Sequence, residues 1–308
     1  MGRNVVIIVL IPFAVSCQTH HEPAPVTTAK TGKDFVLPLN PPEGSTYHYV
    51  IISETSLTAQ GHGMDIDNLM KAEIAVHYQI SKDSDEYVLE MGFDAFRIHS
   101  RNGHEISDAD GTGKSDALNR LLRKLKRTTI FARLKPWGSD ATFGGGTEAV
   151  DQFVDSNYTE ADREKARAFW EQWVEKEIIW RCLDPLVWAR PDTAQHGGDH
   201  WTSWTVNSED IHFKMENDFQ LQSVSEGIAG IRSHGVLKPD SAAPWVLDKK
   251  FTGHLSGTEN GGCFIDLTTG MPNIMGDSVN VGGLVQIDGH ATDVRFIKTV
   301  KMSGGRGK

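Results

Sequence analysis

The stretch KAEIAVHYQI, residues 71 to 80, decides the fold of this chain. From Ala72 to Ile80 every second residue is apolar or aromatic, and the residues between them are mostly polar or charged. A period of two is typical of a β-strand with one buried and one wet face, because successive side chains point to opposite faces. We therefore expect an antiparallel sheet, since parallel sheets are covered on both faces.

Further strands are expected on both sides of this stretch. Residues 47–52 are largely apolar on both faces, residues 87–98 continue the alternation, and short apolar runs separated by turn residues follow Pro191. Residues 118–125 and 159–184 instead space their apolar residues as helices do, and Pro185 should end the second helix. The sequence predicts an α+β fold: a large, curved, mainly antiparallel β-sheet, similar to an open barrel, with two main amphipathic helices packed on it.

The amino terminus has the layout of a secretory signal. Arg3 supplies a positive start, and the apolar run VVIIVLIPFAVSC, residues 5–17, is too short for the roughly 20 residues of a spanning helix. The segment before Cys17 resembles the bacterial lipobox, which implies that Cys17 becomes the first mature residue and carries lipid. An ordinary cleaved signal is the alternative. We expect a protein of the bacterial cell envelope, lipid-anchored at the outer face of a membrane, on the periplasmic or the surface side.

Composition divides the rest of the chain. Residues 1–16 are predicted as the signal peptide, 17–34 as a flexible tether without apolar periodicity, 35–302 as one β-rich domain in two sequence halves, and 303–308 as a disordered tail. The formal net charge of −10 becomes −11 once Arg3 is removed with the signal. This acidity excludes a nucleic-acid partner and electrostatic binding to anionic lipid. The bilayer is therefore contacted through acylated Cys17.

Two cysteines remain beyond the signal, Cys182 and Cys263. An oxidising envelope would permit a disulfide between them. The alternative is two separate buried thiols that behave as small hydrophobic side chains, which suits the apolar neighbours of Cys263.

The second helix carries an aromatic stripe. At about 100° per residue Phe169, Trp173 and Trp180 fall on one line, with Trp170 and Glu177 at its edge. Packing of this stripe on the sheet is one interpretation. The other is that the helix closes a cavity that these five residues line and that binds an apolar small molecule.

Two groups of residues have metal-ligand chemistry. Asp108, Asp110 and Asp116 fall at calcium-loop positions one, three and nine, but Asn119 stands where a bidentate Glu is expected. A solvated turn that caps the next helix explains them better.

The second group is His196, Asp199 and His200. A zinc-binding pair of histidines four residues apart needs a helix, and the two glycines at 197 and 198 disfavour one. We expect a turn here, and we expect neither a metal nor another cofactor.

Several turns carry a family resemblance. GSTYHY at 44–49, GDHW at 198–201, GTENGG at 257–262 and IDLTTGM at 265–271 resemble an uncharacterised family of bacterial lipoproteins, known only as a domain of unknown function. The resemblance implies an envelope location and a single β-rich unit. It implies no catalytic residues.

Two hypotheses for function follow. The first is a non-enzymatic envelope lipoprotein that binds an apolar ligand or a partner protein. The second is an envelope hydrolase or carbohydrate-active protein that uses dispersed carboxylates, such as Asp266 with Asp288. What separates them is whether acidic side chains converge in a cleft.

Overall fold

The computed structural model describes residues 37–61, 64–113, 116–137, 141–191, 196, 198–208, 211–238, 245–246 and 249–307. The predicted signal peptide, the tether and Cys17 lie outside these residues.

Fourteen β-strands form in the described residues. They are β1 (Thr46–Gly61), β2 (Met64–Asp83), β3 (Glu86–Asn102), β4 (Glu105–Ala109), β5 (Ile130–Leu134), β6 (Ala141–Gly144), β7 (His200–Ser208), β8 (His212–Ser225), β9 (Ile228–Lys238), β10 (Trp245–Val246), β11 (Lys249–Gly253), β12 (Ser256–Asp266), β13 (Pro272–Ile287) and β14 (His290–Arg306).

These strands pair antiparallel into one large open sheet. Its main path runs β6-β5-β3-β2-β1-β14-β13-β12-β9-β8-β7. Strand β4 adds to β3, and β11 adds to β13 and pairs with β10. The last long strand, β14, lies between β1 and β13, so it joins the two sequence halves. The predicted α+β class and mainly antiparallel sheet are confirmed.

The helices lie between β4 and β7 in the chain. They are α1 (Ala117–Leu125), α2 (Gly146–Asn157), α3 (Glu160–Val174) and α4 (Arg181–Val187), with a π-helical turn at Glu175–Trp180 between α3 and α4. Among the described residues, no helix has the length and apolar composition that crossing a bilayer requires.

Helix α4 is tied to the inward face of the sheet by hydrogen bonds. Tyr78 Oη donates to the carbonyl of Cys182 at 2.8 Å, and Arg181 Nη2 donates to Thr55 Oγ1 at 3.3 Å. Buried Arg190, just beyond α4, donates to three backbone carbonyls, of Leu186, Leu37 and Gly270. These bonds hold the helical layer over β1 and β2 and close to β12.

Two buried apolar clusters occupy that inward face. The larger contains the helices and one end of the strands, for example Tyr78 and Leu183. The smaller lies at the other end and includes Leu57, Val281 and Phe296. On β1 both clusters use the same face, because the inward residues continue with a period of two from Tyr47 to Ala59. A row of polar inward-facing residues across the sheet separates the two clusters.

Two predicted boundaries are wrong. The tail predicted as disordered from residue 303 is strand as far as Arg306, because β1 pairs with it to that point. Pro185 does not end the long helix, which continues to Val187. The proline stands one turn after the π-helical segment, and it lacks only the N–H that would reach the carbonyl of Arg181.

Candidate functional site: an acidic cavity with aromatic walls

Seven neighbouring strands each interrupt their apolar inward pattern with a polar residue. On β13 Asp277 stands between Met275 and Val279, and on β14 Lys298 stands between Phe296 and Val300. The strand register brings these interruptions to adjacent levels of the sheet. We call this set the polar belt: Ser203, Asn217, Ser233, Glu259, Asp277, Lys298, Ser53 and Thr55.

Two glycines leave space for the side chains of the polar belt. Gly235 lies between Asn217 and Glu259 in the register, and a Cβ there would collide with Asn217 Oδ1. Gly261 lies opposite Asp277, and a Cβ there would be 2.6 Å from Cζ2 of Trp188 and 2.8 Å from Asp277 Oδ1. Any larger residue at either position would push side chains of the belt aside.

A cavity of about 280 Å³ opens between the belt and helix α4. This volume equals that of roughly nine molecules of liquid water, at about 30 Å³ each. The rings of Trp188 and Phe219 meet edge to face, with centroids 5.1 Å apart. Five aromatic side chains contribute to its wall: Trp180, Trp188, Trp204, Phe213 and Phe219.

Two carboxyl groups form the floor of the cavity. Glu259 is 0% exposed; its Oε1 accepts a hydrogen bond from Trp188 Nε1 at 3.1 Å. Glu259 Oε2 and Asp277 Oδ1 are buried and have no hydrogen-bond partner among the described residues. Buried polar atoms of a folded protein normally have partners, so these two oxygens are suited to contact a bound molecule.

The pair also sets the protonation of Asp277. Burial, and after it the negative charge of Glu259, raise the pKa of Asp277 to about 8. The backbone N–H of Ser278 and the ammonium of Lys298 act in the opposite direction but do not balance these effects. At neutral pH Asp277 therefore retains its proton.

The mouth of the cavity is more exposed. Asp184 on α4 adds a third carboxylate there, and Trp204 on β7 is 48% exposed. Lys214 Nζ lies 3.9 Å from the centroid of the Trp204 ring, a cation–π contact. The mouth thus combines charged groups with an aromatic face.

Of the five residues predicted to line a cavity, Trp180 lines this one. Trp170 and Trp173 pack against the larger apolar cluster, as the first interpretation of the stripe has it, and Phe169 is 57% exposed. Glu177 forms an ion pair with buried Arg181.

The three aspartates considered as calcium ligands form hydrogen bonds and ion pairs with neighbouring residues. Asp108 pairs with His99 at 2.8 Å, Asp110 accepts from the backbone N–H of Thr112 at 2.7 Å, and Asp116 caps α1 by accepting from the N–H of Asn119. These bonds hold the pKa values of Asp110 and Asp116 below their usual range.

The zinc candidates also have separate partners. Asp199 accepts from the backbone N–H of His196 at 2.7 Å, whereas His200 contacts Asp218 at 3.0 Å. In the part of the chain that the structure describes, no three His, Cys, Asp or Glu side chains are arranged to hold a metal ion.

The proposed carboxylate pair Asp266 and Asp288 does not converge. Asp266 ends β12 and starts the turn into β13, whereas Asp288 follows the far end of β13. At about 3.3 Å per residue the two turns are roughly 50 Å apart.

Cys182 and Cys263 are both free and buried. Burial raises the pKa of both thiols, that of Cys263 to about 12, so neither thiol is activated as a nucleophile. The disulfide alternative is not formed, and the separate-thiol alternative describes this structure.

Sequence reasoning missed Glu259, Asp277 and Lys298. A signal was present: along β14 the inward set Val294, Phe296, Lys298, Val300 and Met302 contains one charged residue in phase with the apolar ones. Such an inward charge marks a functional or buried polar position rather than a wet face.

Fold and site together define a class: an α+β protein with an open antiparallel sheet and an acidic cavity with aromatic walls. The chain belongs to the family of unknown function DUF6263, whose model matches residues 84–272. The predicted kinship with an uncharacterised family is confirmed. The matched region includes Glu259 and ends before Asp277.

Other comparisons show distant similarity. No curated protein matches the sequence. A lipovitellin structure is similar at 10% identity and a TM-score of 0.48 over 85% of this chain, which spans only 25% of the lipovitellin chain. An outer membrane channel from Pseudomonas putida F1 is similar at 9% identity and a TM-score of 0.20, over 86% of this chain and 97% of the channel. Neither likeness informs the function.

Proposed function

We propose that this protein is a lipid-anchored component of the bacterial cell envelope that binds a small ligand in the acidic cavity. The observation that carries the proposal is Glu259, a fully buried carboxyl group with one unpartnered oxygen in a cavity wall. Burying a polar oxygen without a hydrogen-bond partner costs free energy, so such an oxygen is suited to contact a bound ligand. The lipobox-like segment before Cys17 supports the location.

The chemistry of the lining modifies the ligand expected from sequence. About 280 Å³ is small for a binding pocket, and the acidic floor disfavours a purely apolar molecule such as an acyl chain. The aromatic wall favours a flat or apolar body. The ligand we propose is therefore small, with an apolar part against the tryptophans and a polar group at the floor.

Filling the cavity tests this function. In Gly261→Ala the new methyl group must displace Trp188 or Asp277, whereas Gly276 on the same hairpin has nothing within 4 Å of an added Cβ. We expect native mass spectrometry of the protein purified from the envelope to show a retained small molecule. Gly261→Ala should lose it, and Gly276→Ala should retain it.

Two results would contradict the proposal. One is a ligand that Gly261→Ala retains as well as Gly276→Ala does. The other is a wild-type protein that carries no ligand and takes up none from an envelope extract.

A second candidate function is hydrolysis, favoured by the raised pKa of Asp277 beside Glu259. A protonated carboxyl group beside a second carboxyl group in one cleft can act as general acid, with the second as base or nucleophile. Chromogenic glycosides test it: hydrolysis should disappear in both Glu259→Gln and Asp277→Asn. An intact retained ligand and no turnover would leave binding as the function.

A further inference from the structure

The charge of the cavity lining points to the chemistry of its ligand. At its floor the carboxyl groups of Glu259 and Asp277 lie near one ammonium group, that of Lys298. Among the described residues Glu259 has no basic side chain as its hydrogen-bond partner; the indole of Trp188 is neutral. The described part of the floor therefore holds more acidic than basic groups.

The unpartnered oxygens specify what a complementary group must offer. Glu259 Oε2 and Asp277 Oδ1 are both buried acceptors when ionised. A hydroxyl group could donate to either oxygen but would leave the charge uncompensated. An ammonium group has three donors and also neutralises the charge, so it satisfies both requirements.

The aromatic wall fits the same group. The faces of tryptophan rings attract cations, and Trp204 at the mouth already holds the ammonium of Lys214 at 3.9 Å from its centroid. Trp188 stands at the floor, with its N–H directed to Glu259. The apolar body of a ligand can therefore lie against the rings of the wall while its cationic group contacts the carboxyl groups of the floor.

We propose that the cavity selects ligands that carry a protonated primary amine on a small apolar or aromatic body, with the ammonium group between Glu259 and Asp277. This inference rests on the proposed binding function and names its ligand class. It differs from a sugar or lipid site because the ionic group, rather than hydroxyl groups or an acyl chain, is what the floor recognises.

The proposal has a consequence for pH. The groups that face Asp277 are Glu259 on β12, Lys298 on β14 and Asp184 on α4. With its pKa raised to about 8, Asp277 is protonated at pH 6 and must release that proton when an ammonium group binds beside it. Affinity for the amine should therefore rise between pH 6 and pH 8.5, where an alkylamine with a pKa of roughly 10, like that of lysine, stays charged.

Phenethylamine and its neutral isostere 2-phenylethanol are suitable probes. The indole N–H resonance of Trp188, assigned with Trp188→Phe, reports on the floor because that N–H bonds Glu259. At pH 8 we expect phenethylamine to bind at least tenfold more tightly than the alcohol, which corresponds to about 1.4 kcal/mol.

Isosteric variants locate the effect. The double variant Glu259→Gln/Asp277→Asn should bind both probes equally, and it should fold, since neutral amides remove buried charge at constant volume. Glu73→Gln, which removes an outer-face carboxylate paired with Arg97, should keep the preference.

Equal affinity of the wild type for both probes would overturn the amine inference and leave the cavity as a binding site for neutral ligands. A preference that survives in the double variant would also overturn it. Failure of both probes to bind rejects the amine, whereas the cavity-filling comparison of Gly261→Ala with Gly276→Ala decides the binding function by itself.

Discussion

Glu259 and Asp277 form a buried pair of carboxyl groups in which one affects the protonation of the other. Among the described residues the Glu259 carboxyl group receives one hydrogen bond, from Trp188. Burial, and after it the negative charge of Glu259, raise the pKa of Asp277 to about 8, so Asp277 retains its proton at neutral pH. Asp277 thus holds a proton that a rise in pH or a bound cation can displace.

The free energy of unfolding should depend on pH because Asp277 binds this proton in the folded state. The folded-state pKa of Asp277 lies above the ordinary value of 3.8, so the folded state binds more protons than the unfolded state between about pH 4 and pH 8. This contribution is full below that window and is lost as pH rises through 8, at up to about 1.4 kcal/mol per pH unit. Relative to wild type, Asp277→Asn should gain stability steadily across the window. Urea denaturation at pH 5, 7 and 9 measures it; parallel pH profiles of the two proteins would disprove the shift.

The long helical segment shows how one irregular turn changes an element. A π turn takes one more residue than an α turn, so residues beyond it rotate by roughly 100° relative to a continuous α-helix. In α3 the inward line is Ala166, Trp170 and Val174, and Phe169 points outward. Beyond the π turn, Trp180 reaches the cavity.

Two neighbouring aromatic residues of α3 should therefore differ in their effect on stability. Trp170 donates to Tyr158 Oη at 2.9 Å and meets Phe153 edge to face, so Trp170→Ala should cost about 3 kcal/mol of unfolding free energy. Phe169→Ala should cost less than about 1 kcal/mol, since its ring is 57% exposed. Chemical denaturation measures both; equal losses would contradict the assigned helix face.

For the whole molecule, the proposed location and the proposed ligand are linked. If the protein is anchored as we propose, it would sample the molecules that pass through the envelope, and the predicted tether, residues 17–34, would let the domain stand clear of the bilayer. The cavity opens between α4 and β7, where the side chains of Asp184 and Trp204 are exposed. The residues that line the cavity lie between Trp180 and Val300, at the end of the helical segment and in the strands that follow it.

The anchor has a direct test. Mass spectrometry of the mature protein from the envelope should show that it begins at Cys17 and that Cys17 is acylated. Cys17→Ser should abolish the lipid and release from the membrane fraction any chain that is processed by another route. A mature chain that begins at a different residue would disprove the anchor and leave an ordinary cleaved signal.

The sequence by itself determined the type of structure. Alternation such as that of residues 71–80 specifies strands with one wet face, and a period near 3.6 specifies helices, because both signals are local to the segment that carries them. The α+β class and the antiparallel sheet follow from these periods. The turns also indicated the family correctly.

Only the tertiary structure decided the site. The polar belt joins residues from Ser53 to Lys298, and each is a single interruption in its own strand. Which interruptions become neighbours depends on strand order and register, and no local period encodes either. Tertiary structure also decided which helix residues face inward, because the π turn rotates the residues beyond it. It likewise decided that the two cysteines are buried as separate free thiols. Glu259 and Asp277 meet because β12 and β13 pair in the register that sets Gly261 opposite Asp277, and glycine leaves the space in which their carboxyl groups face one cavity.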